Sequence, residues 1–80
     1  MIMGRRHDPT ELMVIGQRYN IAWTLLSPKR KYTFTGVYRE LDGNAVVLVY
    51  SRKREHIPIK RILSVYDSGG LCVWPAQEQD

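Results

Sequence analysis

The side chains in this sequence best suited to chemistry are cations interleaved with aromatic rings. Nine basic residues fall between positions 29 and 61: Lys29, Arg30, Lys31, Arg39, Arg52, Lys53, Arg54, Lys60 and Arg61. The same stretch holds only Glu40, Asp42 and Glu55, so it carries +6, while the rest of the chain carries −2. Positive charge concentrated in this way marks an anionic partner. Tyr19, Trp23, Tyr32, Phe34, Tyr38, Tyr50 and Tyr66 are spread among and beside these cations. Aromatic faces stack on unpaired bases, and arginine or lysine in a groove tracks the phosphates. The chemistry implied is therefore binding of a nucleic acid through all nine cations, RNA in preference to DNA. Opposed to this is a plainer role: a small domain needs Trp23, Phe34 and Tyr50 for its core, and charged turns keep it soluble.

Other chemistries find little support. One cysteine with His7 and His56 does not make a metal-ligand cluster. Gly69-Gly70 lacks the lysine and helix of a phosphate loop. Glu40 and Asp42 flank a turn, where Asp42 has an ordinary turn-forming role. Cys72 lies in the apolar run Leu71-Cys72-Val73-Trp74 and reads as a buried packing thiol. The expectation is a binding protein, with no enzymatic activity and no cofactor.

Eighty residues is the length of one domain. A domain of that size hides about 60–65% of its unfolded surface, so its core is small. A lone cysteine precludes an internal disulfide and fits a reduced, cytoplasmic setting. No apolar run approaches the roughly 20 residues of a membrane span, and acids and proline interrupt any signal-peptide pattern after Arg5 and Arg6. Residues 1–8 read as a flexible basic leader, 9–75 as the domain, and 76–80 as a polar tail.

Hydrophobic periodicity supplies the elements. Asp8-Pro9-Thr10-Glu11 has the residues of a helix start, and Gly16 a left-handed stop, so a short helix is expected over 9–15. From Tyr19 the period becomes two: Tyr19, Ile21, Trp23 and Leu25 share one face. Ser27-Pro28-Lys29-Arg30 is a turn. A second strand follows with Tyr32, Phe34, Gly36 and Tyr38 on one face, Gly36 marking a bend or bulge. Asp42-Gly43 signals a hairpin. Residues 44–50 are apolar almost throughout and read as a central strand buried on both faces. Ser51-Arg52-Lys53-Arg54 is a charged turn, so this cluster and Lys29-Arg30-Lys31 could meet at one end of the fold. Short strands follow over 55–59, 62–66 and 71–74, and the one bearing Pro58, the last one, or both lie at a sheet edge. The fold class is mainly β: a small five- to six-stranded SH3-like or Sm-like barrel with a short N-terminal helix.

Gly36, Tyr38, Leu41 and Asp42 follow the order of a Sm1-type pattern, and Val46 and Leu48 continue it as a strand. Over residues 10–67 the chain thereby resembles the Sm-like small barrels, the bacterial Hfq-type RNA chaperones among them. It departs from them where Val46 stands for the RNA-facing Asn, and no Arg-Gly pair or Tyr-Lys-His run lies near Lys60-Arg61. Residues 57–65 are also similar to the closing segments of WYL regulatory domains and of Rof proteins. The Sm-like resemblance implies a regulatory RNA binder that assembles into a homo-oligomer by edge pairing. The Rof resemblance implies an alternative, a module that docks on a partner protein such as a transcription factor and inhibits it.

Overall fold

The computed structural model describes residues 8–25 and 30–75. Its strands are β1 (Arg18–Leu25), β2 (Arg30–Asp42), β3 (Ala45–Tyr50), β4 (Lys53–Pro58), β5 (Ile62–Asp67) and β6 (Cys72–Trp74). They form one antiparallel sheet in the order β4-β3-β2-β1-β5-β6, so the strand with Pro58 and the final strand are its two edges. Successive hairpins build β1 to β4, and the chain then returns through a one-turn 3₁₀ helix, η2 (Ile59–Arg61), to the other side of β1. The mainly-β expectation holds. The sheet itself is open, since no ladder joins β4 to β6.

Alternation along the strands makes the core. Tyr19, Ile21 and Trp23 point inward from β1, and Tyr38 does so from β2, with Tyr32 and Phe34 half-buried against the same cluster. A single cluster also takes Leu48, Ile57, Val65 and Trp74 from the remaining strands, so the sheet curls over one apolar interior. Val46, Val47 and Leu48 have no exposed surface, as a strand flanked on both sides requires. Leu25 and Tyr50 do not join them: each ends its strand, and both are exposed, which corrects the core role expected for Tyr50.

Gly36 lets the neighbouring backbone approach β2 closely. A Cβ there would meet the Val49 carbonyl oxygen at 2.8 Å and the Phe34 ring at 2.9 Å. The register slip itself comes later, where Arg39 is the extra residue between Tyr38 opposite Leu48 and Glu40 opposite Val47. Gly36→Ala is expected to destabilise the fold by about 1–3 kcal/mol, because backbone rather than a flexible side chain must give way. Urea midpoints measure this, and an unchanged midpoint contradicts it.

The front of the chain differs from the expected helix over 9–15. Only a four-residue 3₁₀ turn forms, η1 (Pro9–Leu12). Asp8 caps it, accepting from the Thr10 amide at 2.9 Å and the Thr10 hydroxyl at 2.7 Å. Met13 is then extended and buried, and the Val14 amide donates to the Tyr19 hydroxyl at 2.7 Å instead of to a helical carbonyl. Tertiary packing thus takes the donor a helix needed. Gly16, at φ +99°, turns the chain so that its amide donates to the Tyr38 carbonyl. Cys72 is a second correction. A register shift in the β5–β6 ladder sets Trp74 opposite the buried Val65 but Cys72 opposite the exposed Tyr66, which leaves the thiol exposed.

Burial pushes the Tyr38 phenol above its ordinary value of 10.0, with the Asp8 carboxylate and then Tyr19 adding to the shift. A raised acid favours the neutral, proton-bound form in the fold. Its contribution is therefore complete below pH 10 and is lost as pH climbs through the folded value. Melting temperature is expected to fall above that pH, and Tyr38→Phe to flatten the decline. An identical alkaline profile for the variant would refute this.

Candidate nucleic-acid interface

Arg30 and Lys31 open β2, opposite Leu25 and Thr24. The Thr24 hydroxyl donates to the Arg30 carbonyl at 2.7 Å, which ties the two strands together at this end. One residue farther in, Trp23 stacks on Tyr32 with ring centroids 5.8 Å apart and planes at 30°. Lys29 lies outside the described residues.

The same end of β1 receives cations from its other side. Trp23 pairs with Ile62 across to β5, and Arg61 is the residue immediately before Ile62. The turn η2 carrying Lys60 and Arg61 is pinned by the Ile59 amide, which donates to the Asn44 carbonyl at 2.8 Å. Lys60-Arg61 and Arg30-Lys31 thus come to either side of the same end of β1, next to Ile62 and Tyr32, whose backbones flank Trp23. Among the described residues none of these four cations has an ion-pair partner.

The β3–β4 turn points the same way along the sheet as the Leu25–Arg30 end of β1 and β2, but it is displaced along β2 and its cations do not merge with the first cluster. Ser51 and Arg52 make the β3–β4 turn, and Lys53 and Arg54 begin β4 opposite Tyr50 and Val49. Val49 also pairs with Val37, from which Lys31 lies six residues along β2, roughly 20 Å if extended. The long first half of β2, paired only with β1, sets this offset. Arg54 reaches Glu40 at 3.6 Å and His56 reaches Asp42 at 3.5 Å, all four side chains about half exposed or more. Glu40 thus lies beside Arg54 and Asp42 beside His56, and Val47 is buried on this outer sheet face between Glu40 and His56. Arg39 stands on the bulge, exposed.

Arg52 has φ +71° and Ser51 φ +48°, a left-handed pair in which glycine or asparagine is favoured. Holding arginine there costs on the order of 1 kcal/mol. Arg52→Gly is therefore expected to raise stability by about that much in a thermal melt while weakening anion binding. A fall in stability would show that the arginine side chain has a structural role.

The structure also places a cleft that the basic span of the sequence did not mark. Thr35, Asn20 and Tyr66 stand side by side on the outer face of β2, β1 and β5. With Arg18, Asp67 and Ser68 they line a cavity of about 400 Å³. The Asn20 amide donates to the Thr35 hydroxyl at 2.6 Å. Asp67 Oδ1 accepts from the Gly69 and Leu71 amides, both at 2.9 Å, and shapes the β5–β6 turn. Tyr66 was among the aromatics noted in the sequence, but pairing across strands, which decides its neighbours, is not written locally.

Among the described residues no group of three or more His, Cys, Asp and Glu is placed to hold a metal ion, and no helix is long and apolar enough to cross a membrane. Compared with protein-family models, curated proteins and solved structures, the chain matches none.

Proposed function

We propose that this chain is a small regulatory protein that binds single-stranded nucleic acid, RNA in preference to DNA, through cations around the end of β1. The observation that carries this reading is the convergence of Arg30, Lys31, Lys60 and Arg61, unpaired among the described residues, beside the Trp23–Tyr32 stack. Cations held close without acidic partners cost electrostatic self-repulsion, which a bound phosphate chain relieves. Arg52 and Lys53, next to the exposed ring of Tyr50, make a second contact point offset along β2 from the first. A strand of several nucleotides would touch both. The bent β2, the consecutive hairpins and the short closing strands support a Sm-like small barrel as the scaffold.

Labelled RNA and DNA oligomers titrated at several salt concentrations test the proposal. Each phosphate contact to a single strand contributes about −0.7 to the slope of log K against log salt. A slope near −3 or steeper is expected, with tighter binding to RNA. No binding at low ionic strength would end the reading.

A second reading rests on exposed apolar side chains: Val14 at 58%, Ile15 at 62% and Leu71 at 71%. These favour docking on a protein, as the inhibitory Rof-type alternative requires. Such an interface would be nearly insensitive to salt. We further propose self-association through an edge. β6 has only three residues and packs near η1, whereas β4 offers six, blunted by Pro58. Sedimentation at micromolar concentration is expected to show a mass above 9.3 kDa. A monomer overturns it.

A further inference from the structure

We propose that the outer-face cleft between β1, β2 and β5 is a binding site for a single nucleotide, distinct from the cationic end of the sheet. The inference rests on the nucleic-acid reading for the kind of ligand, and on separate residues for the site. Every chemical part of a nucleotide has a counterpart here. Tyr66 is 39% exposed and offers a ring face for a base. Asn20, opposite Tyr66 on the neighbouring strand, is held by its bond to Thr35, so its amide is already oriented. Its carbonyl oxygen and remaining N–H can meet the amide-like edge of a base. Arg18, exposed and without an ion pair among the described residues, sits two residues from Asn20 and can take a phosphate.

Asp67 supplies the selective element. One carboxylate oxygen is used by the turn amides, and the other has no partner among the described residues. A carboxylate beside a bound sugar accepts from ribose hydroxyls, and a deoxyribose lacks one of these. The cavity, about 400 Å³, falls in the range of roughly 300–1,000 Å³ usual for small-ligand sites. Because Tyr66 and Asn20 share the outer face with Thr35, base, sugar and phosphate would lie across three strands whose register is set by backbone pairing.

The test is a titration of the full chain with each ribonucleoside monophosphate, followed by side-chain and amide chemical shifts, in parallel with a labelled RNA oligomer. Ribose 5-phosphate and a deoxyribonucleoside monophosphate are the control ligands. Signals of Tyr66, Asn20 and Arg18 are expected to move with the ribonucleotide, those of Tyr66 and Asn20 not to move with ribose 5-phosphate, which has no base, and the deoxy form to bind several-fold more weakly. Tyr66→Leu is expected to weaken mononucleotide binding at least tenfold and Tyr66→Phe to retain it, since the ring face rather than the hydroxyl is used. Shifts confined to Arg18 with any phosphate compound would overturn the site. So would an oligomer that binds while millimolar nucleotide leaves Tyr66 unmoved. Nucleotide binding at Tyr66 without oligomer binding would instead uphold the cleft and reject the cationic interface.

Discussion

Trp23→Ala is expected to destabilise the protein by about 3–5 kcal/mol, the usual range for removing a buried tryptophan. Trp23 is 8% exposed, belongs to the core cluster and stacks on Tyr32. It also pairs with strands on both sides, opposite Tyr32 and Ile62. A chain of this length has about 4–12 kcal/mol of stability in all. The variant should therefore be largely or partly unfolded at physiological temperature, with loss of the cooperative melt. Circular dichroism against temperature and urea decides it. A loss below about 1 kcal/mol would mean that the site collapses around the missing ring and that Tyr32 alone closes this end.

Replacing Arg30, Lys31, Lys60 and Arg61 together with glutamine is expected to lower RNA affinity by two to three orders of magnitude near 0.1 M salt. Four phosphate contacts to a single strand correspond to about 2.8 in the slope of log K against log salt, and the slope should shrink by that amount. Glutamine removes the charge and keeps part of the aliphatic stem, so the half-buried position of Arg61 stays partly filled. Stability should change by about 0.5 kcal/mol or less per substitution, since none of the four is ion-paired among the described residues. Matching substitutions at Arg52 and Lys53 should cost less affinity, because only two charges are removed. Equal losses from both sets, or an unchanged slope, would show that the end of β1 is not the main contact.

These two expectations draw on different levels of information. That Trp23 faces inward is legible from the period-two run Tyr19, Ile21, Trp23, because adjacent residues of a strand must point to opposite faces. The same rule placed Tyr32, Phe34, Gly36 and Tyr38 together, and the apolar run over 44–50 marked a strand covered on both faces, which holds for its centre, Val46, Val47 and Leu48. Turn chemistry placed a reversal at Asp42-Gly43, and the structure turns one residue later, at Gly43 and Asn44, where glycine and a short polar residue fit the backbone.

The helix expected over 9–15 shows where local signals stop. Asp8, Pro9 and Gly16 satisfy local rules, yet seven residues gain too little from helical bonds to resist a tertiary competitor. The Tyr19 hydroxyl takes the Val14 amide, and the buried Met13 is held extended. Cys72 and Tyr50 were misplaced for a related reason. An apolar neighbourhood in sequence does not say which alternate residue faces in, nor how far the neighbouring strand extends to cover it.

The amino-acid sequence by itself determined that the chain is mainly β, the inward face of β1 and β2, and the concentration of positive charge in its middle. Those properties follow from composition and from nearest-neighbour geometry along the backbone. Only the tertiary structure decided which cations meet. The two turn clusters prove offset along β2, while Lys60 and Arg61, distant in sequence from Arg30 and Lys31, come to flank the same end of β1. The row of Thr35, Asn20 and Tyr66 arises the same way. Strand order and register are set by the burial of the whole inner face at once, and a one-residue slip would turn every side chain of a strand to the other face. That constraint is collective, so no local stretch of the chain records it.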